Sequence, residues 1–267
     1  MDAPIVTLTT DWSAADFFVG RVKGRLLSLI PNVRIIDISH SLPVADRMAA
    51  SFVVSNACRE FPKGTIHIVD VANQRINGEI VVVEADGQYY ILLNNGLPYM
   101  VFGNRFERAV QVSKETLPDM GAFLAYDIYC QIAAKIAGGT DLGDLGEPCK
   151  ELQAATPFSY ISTRDPNNGD QLKIYITYID DYGNIYLGIT HEEFEQIRAG
   201  RSFVLKVRNK ELTSIASTQD MQKEEPMDAL LTVATTGHLM VTFSQACENA
   251  SRLLGLNVKD VLTVTFK

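Results

Sequence analysis

Cysteine and histidine are scarce in this 267-residue chain, four of each, and neither is clustered. Cys58, Cys130, Cys149 and Cys247 form no C-x-x-C pair, which argues against a zinc cage or a disulfide framework and for reduced, mostly buried thiols. His40, His67, His191 and His238 lack the helical spacing that would bring two onto one face, so no metal site is expected. Basic residues are outnumbered, 24 Lys and Arg against 32 Asp and Glu, giving a net charge of −8 with no basic cluster. That balance argues against a nucleic-acid partner, which is normally met by a grouped positive surface. No apolar run approaches the roughly 18 residues of a membrane span. The opening "MDAPIVTLTT" has no basic segment leading into an apolar stretch, so a cytoplasmic protein with no membrane association is expected.

What is present is ordinary for a globular protein: 46% hydrophobic and 21% charged residues, over a length that suits about two domains. Strand-like and helix-like segments alternate through the first part, which predicts a three-layer α/β domain with a central, mostly parallel sheet over residues 1–155. Asp16 precedes Phe17, Phe18, Val19, Val22, Leu26, Leu27 and Ile30, whose spacing predicts a capped helix with one buried face. "LPVADRMAASFVVSNACREF" and "AYDIYCQIAAKIAGG" predict two more helices. Asp86-Gly87 marks a type I′ hairpin. Pro, Asn, Gly and Asp gather in "TRDPNNGDQ", and beyond them short strands recur between turns, interrupted by the helix "SQACENASRLLGL". This predicts a small C-terminal β-barrel or sandwich domain over residues 166–267.

Two places carry possible chemistry. Asp11 follows the first strand at the end where open α/β sheets place ligand groups, but an aspartate there is equally a turn former. In "YIDDYGNIYLGI", Asp180 and Asn184 flank a tight turn and are read either as plain hairpin residues or as acceptors converging on a small cationic group such as an ammonium. His40 reads as a loop-holding residue, and Asp37 and Asp46 as structural caps. Asn94 and Asn95, before Gly96, suit either a turn or a site lining.

The motifs "TLTTDW", "FVGRVKGRLLSLIPNVRIIDISHSLPVAD", "FPKGTIHI", "NNGL", "YIDDYGN" and "GHL" stand in one order along the chain. In that order and spacing the sequence resembles the S-adenosylmethionine hydroxide adenosyltransferase family, whose superfamily includes the fluorinase and chlorinase. The resemblance implies an N-terminal α/β domain followed by a C-terminal β-barrel, and a homotrimer with sites between subunits. It implies attack of water on the ribose 5′ carbon of S-adenosylmethionine, giving adenosine and methionine, with no metal and no cofactor. It assigns Asp11 to the ribose hydroxyls, Asp180 and Asn184 to the methionine ammonium, Asn95 to the site lining and Thr235 to the carboxylate end. Asp70 and Arg75 would be the catalytic pair that positions water.

The chain departs from that pattern at both water-handling motifs, and the family's C-terminal "NSSG" stands as Ala234, Thr235, Thr236 and Gly237, with hydroxyls kept and the asparagine lost. "VDVANQRING" keeps Asp70 and Arg75 without the family's Pro-Gly turn, and "FLAYD" puts Leu124 where a histidine is expected and Ala125 and Tyr126 where Gly-Arg would stand. Leu can neither donate nor accept a hydrogen bond, so the water site must be altered. A non-catalytic adenosyl-binding homologue is the alternative expectation. Ala125 offers no hydroxyl to a halide, so halogenation is not expected. No aromatic stands between Leu212 and Gly237 to stack on adenine, and Tyr182 and Phe243 read as core.

Overall fold

The computed structural model describes residues 3–73, 79–113, 123–165, 169–217, 228–244 and 249–267. Arg75 and Cys247 lie outside the described residues. The chain divides into two compact units, Met1–Thr156 and Pro157–Lys267.

The first unit is a seven-stranded sheet with helices. In chain order it contains β1 (Ile5–Thr10), α1 (Phe17–Leu29), β2 (Arg34–Ser39), α2 (Arg47–Ala57), β3 (Ile66–Asp70), β4 (Ile80–Ala85) and β5 (Gln88–Leu93). There follow α3 (Leu97–Phe102), β6 (Arg108–Val112), a π turn (Ala125–Tyr129), α4 (Cys130–Ala137) and β7 (Gly146–Pro148). The strand order is β2-β1-β3-β5-β4-β6-β7. β2, β1, β3 and β5 pair in parallel, while β4 is antiparallel to both β5 and β6, so β6 also runs with the majority.

β1 and β3 have almost no exposed residue, as strands covered on both faces must. Val6, Leu8, Ile66 and Ile68 share one core with Val22 and Leu26 of α1 and Ile132 and Ala133 of α4. The alternate residues carry a polar thread: Thr7 Oγ1 lies 2.7 Å from His67 Nδ1, whose Nε2 is 3.3 Å from Gln88 Oε1. Burial pulls the His67 imidazole down to about 4, so it stays neutral there.

Several local expectations hold and others need correction. Asp16 caps α1 through Phe17 N, and Val19, Val22, Leu26 and Ile30 are buried. Phe17 and Leu27 instead face solvent, because a helix on a sheet buries a stripe narrower than its full apolar content. α2 begins only at Arg47, where Asp46 accepts from the Met48 and Ala49 N–H groups. Asp37 is no cap. It sits on β2 and pairs with Lys23 at 2.6 Å; burial raises its carboxyl, but the Lys23 and His40 contacts outweigh this and hold it below the usual range. Asp86 and Gly87 both have positive φ, 54° and 73°, as a type I′ turn needs.

The second unit consists of β8 (Tyr160–Asp165), β9 (Gly169–Ile179), β10 (Ile185–Thr190), α5 (His191–Arg198), β11 (Phe203–Val207) and β12 (Lys210–Leu212). It continues with β13 (Ile215–Ala216), β14 (Ala229–Val233), β15 (His238–Phe243), α6 (Ala250–Leu254) and β16 (Val261–Phe266). The sheet runs β12-β11-β16-β9-β10-β15-β14-β13, with β8 also on β9, and β12 comes back beside β14. The sheet is therefore nearly closed on itself, like a barrel, around Ile174, Ile176, Leu187, Leu205, Val241 and Val264.

Candidate active site

The parallel strands of the first unit all end on one side, and the polar residues that follow them meet there. β1 ends in Thr9 and Thr10 and leads to Asp11 and Trp12; β2 leads to His40, β3 ends at Asp70 and leads to Asn73, and β5 leads to Asn95. This is where parallel sheets gather ligand groups, because several loops open from neighbouring strand ends.

Asp11 fills the turn-holding role its position allows. Its Oδ2 accepts from Ala45 N at 2.8 Å and Ala72 N at 3.1 Å, tying the loops after β2 and β3 to the end of β1. Its Oδ1 has no partner among the described residues, which leaves two acceptor sites on that oxygen. Ala45 and Ala72 both have φ near 59°, so the carboxylate holds two backbone turns in the left-handed region.

Asp70 is 3% exposed. Burial first, and then the negative charge of Asp11, push its carboxyl up to about 8, with the Trp12 indole N–H pulling the other way. Asp70 Oδ1 is buried without a hydrogen bond, as are Thr9 Oγ1 and Asn73 Oδ1. Buried polar atoms are nearly always paired in folded proteins, so these three, unpaired among the described residues at adjoining strand ends, stand out.

The frame around these groups is rigid. His40 is buried, with Nδ1 2.8 Å from Thr10 Oγ1 and its carbonyl accepting from Ser13 N at 2.8 Å. Its Nε2 lies 3.1 Å from Asp37 Oδ1 in poor alignment for a hydrogen bond. Trp12 stacks on His40 and meets Phe123 edge-on, with centroids 6.3 and 5.1 Å away. Asn95 accepts from Leu97 N, donates to Val71 O, and receives Arg47 on its carbonyl, so it is chiefly a turn residue beside the site. Gly96 has φ +93°, and a Cβ there would stand 2.7 Å from Ala155 Cβ, so no other residue suits this turn. Asn94 is spent on Gln153 N and Glu151 O.

Leu124 is 5% exposed and packs in the core of the first unit with Ala125, Ile128 and Tyr129, immediately before the π turn from Ala125 to Tyr129. Tyr129 is fully buried, and its Oη accepts from Asn73 Nδ2 at 3.3 Å.

The second unit carries its own polar knot. Asp180 Oδ1 accepts from Asn184 N at 2.9 Å, and Oδ2 accepts from Asn184 Nδ2 at 2.8 Å and Tyr186 Oη at 3.3 Å. Thr242 Oγ1 donates to Asn184 Oδ1 at 2.6 Å. Burial and then Asp180 push the Tyr186 phenol up to about 12. Gly183 has φ +83°, and a Cβ there would stand 2.2 Å from Asn249, so the turn requires glycine. Asp180 and Asn184 are thus fixed on one another, a pre-set acceptor pair. Thr235 is exposed in the β14–β15 hairpin, where Gly237 N donates to Ala234 O. Phe243 is core, whereas Tyr182 is 75% exposed and corrects the expectation of burial: it is at the tip of the turn, where no sheet covers it.

Sequence reasoning did not find Trp12, Asn73 or Tyr129. Trp12 and Asn73 lay in motifs already singled out, one and three residues after their aspartates. Tyr129 carried no local signal, since a tyrosine at helical spacing reads as core. Among the described residues no group of three His, Cys, Asp or Glu side chains is placed to hold a metal, and no helix is long and apolar enough to cross a membrane.

Residues 6–146 match the model of the SAM hydroxide adenosyltransferase N-terminal domain and residues 174–263 that of the C-terminal domain. The chain is 24% identical to an (R)-S-adenosyl-L-methionine hydrolase of Methanocaldococcus jannaschii, over 98% of this chain and 96% of that one. It is 26% identical to the enzyme of the same name from Salinispora tropica, over 98% of both. A fluorinase of Nocardia brasiliensis is 24% identical over 76% of this chain and 77% of its own. An uncharacterized conserved protein from Thermotoga maritima has the same fold, with a TM-score of 0.82 at 20% identity, covering 98% of this chain and 99% of that one.

Proposed function

Because the chain belongs to the S-adenosylmethionine hydroxide adenosyltransferase family, we propose that it hydrolyses S-adenosylmethionine to adenosine and methionine. The observation that carries this reading is the pair of strand-end carboxylates, one half-committed to the loops and one buried with an unpaired oxygen. Asp11 Oδ1 suits a vicinal diol, since its two free acceptor sites can take both ribose hydrogens. Asp180, held by Asn184, presents fixed negative charge to an ammonium. Thr235 is assigned to the methionine carboxylate, and Asn95 shapes the turn beside the site.

The sulfonium is already a good leaving group, so the reaction asks for no cofactor. The protein's task is to align a water with the 5′ carbon and the departing sulfur, and such alignment can supply ~7–11 kcal/mol of the barrier. Asp70 is the proton acceptor in this scheme, and the family resemblance assigns Arg75 to the same catalytic pair. The acceptor of the adenosyl group is water, not halide, since Ala125 is a buried methyl without a hydroxyl. The working assembly is a homotrimer with the site shared between neighbouring subunits, and the setting is the cytoplasm.

Incubating the pure protein with S-adenosylmethionine and separating the products by chromatography tests the reading. Adenosine and methionine in equal amounts are expected, and light scattering should give three times the 29.5 kDa chain mass. Tight adenosine binding with no turnover at any pH would instead establish the non-catalytic homologue, and formation of a 5′-halogenated adenosine would refute water as the acceptor.

A further inference from the structure

The family's histidine position is filled by a leucine that the fold buries in the core, yet the site still holds unpaired polar atoms. We propose that Asn73 and Tyr129 hold the attacking water against Asp70 in this chain, taking over the positioning that an imidazole at position 124 would perform. The inference rests on the hydrolase reading above.

The argument is a count of donors and acceptors. Tyr129 Oη accepts from Asn73 Nδ2, and the phenol's own hydrogen has no acceptor among the described residues. Asn73 Oδ1 and Asp70 Oδ1 are buried acceptors with no donor. Turning the Asn73 amide over would pair its oxygen with the phenol and strand its nitrogen, so one polar atom is left over in either orientation. In the proposed arrangement one water serves all three groups: it accepts from the Tyr129 hydroxyl, donates one hydrogen to Asn73 Oδ1 and the other to Asp70 Oδ1, and keeps its second lone pair for the carbon. A leucine can offer none of these bonds.

Two features of the fold make the arrangement specific to this segment. The π turn at Ala125–Tyr129 adds a residue to the helical repeat, a distortion often found at functional sites, and it brings Tyr129 to the loop after β3. Burial, and then the charge of Asp70, keep the phenol well above its ordinary value, so it stays a neutral donor. Among the described residues the charge of Asp11, after β1, acts on Asp70, and Asp70 in turn acts on the Tyr129 phenol.

The step balances. The water oxygen bonds to the 5′ carbon, the carbon–sulfur bond breaks with its electron pair going to sulfur, and the proton lost by the water goes to Asp70, which must first be in its carboxylate form, above about pH 8. Asn73 and Tyr129 neither gain nor lose a proton. They are positioning residues, and Asp70 is the catalytic one.

The test is the pH profile of kcat and KM for S-adenosylmethionine in Tyr129→Phe and Asn73→Ala, with thermal melts as the check on folding. Asn73 lies on a half-buried loop, so its variant stays informative if Tyr129→Phe does not fold. Each variant should lose about 10²-fold in kcat, the low end for a positioned acid or base, with KM within about threefold of wild type. The acid limb in Tyr129→Phe should move to higher pH, because the water that donates to the ionised Asp70 is held less well. Normal kcat and an unmoved limb in a folded variant overturn the proposal while leaving the hydrolase reading intact. Absence of turnover in the wild type refutes both.

Discussion

Replacing Asp11 by asparagine tests the two roles of this residue at once. The carboxylate serves the loops with Oδ2, through Ala45 N and Ala72 N, and has Oδ1 left for the ribose. An amide has only one oxygen. If it stays with the two N–H groups, the NH₂ faces the diol, and charge-assisted bonds from the hydroxyls are replaced by a neutral contact. Hydrogen bonds to charged groups contribute ~1.5–3 kcal/mol, so adenosine should bind ~12-fold to 150-fold more weakly by calorimetry. The loop bonds lose their charge assistance too, and the melting temperature should drop by the equivalent of about 1 kcal/mol. Removing the Asp11 charge also relieves Asp70, so the acid limb of any pH–rate profile should move to lower pH. If Asp11→Asn binds adenosine as tightly as wild type while melting earlier, Asp11 is a loop-holding residue alone and the ribose assignment is wrong.

Three further outcomes follow from particular contacts. Leu124→His should bury an imidazole in the core, at a cost of about 1–3 kcal/mol in a urea melt and without raising turnover; faster hydrolysis would show that position 124 reaches the water site. Asp70 keeps its proton up to about pH 8 when folded and loses it near 3.8 when unfolded, so the native form binds the extra proton between those values and wild-type stability should fall as pH rises through them. Asp70→Asn should abolish that fall, a difference on the order of 4 kcal/mol between about pH 5 and pH 8, and parallel stability curves for the two proteins would refute the burial argument. Gly183→Ala combines a φ of +83° with a Cβ 2.2 Å from Asn249, and should loosen the Asp180–Asn184 turn by at least about 1 kcal/mol; an unchanged melting temperature would show the turn is not held as described.

By itself the sequence determined what is local. Asp16 and Asp46 announce helix starts because a short side-chain acceptor before an apolar period meets the same unpaired N–H groups in any fold. Asp86-Gly87 announces its hairpin because few other pairs tolerate two positive φ values. The alternation of segments announces an α/β unit followed by a β unit, and the motifs around Asp11 and Asp180 announce the family. Tertiary structure alone decided which atoms meet. That Asp11 spends one oxygen on Ala45 and Ala72 depends on loops 34 and 61 residues away. That Leu124 is core while Tyr129 reaches Asn73 depends on a one-residue swelling of a helix, which leaves no mark in apolar spacing. That Asp70 holds a proton near neutrality depends on the water its neighbours exclude and on a second carboxylate from another strand. Propensity and capping act within a few residues of sequence, whereas desolvation and charge coupling act across space, and the chemistry of this site is set by the latter.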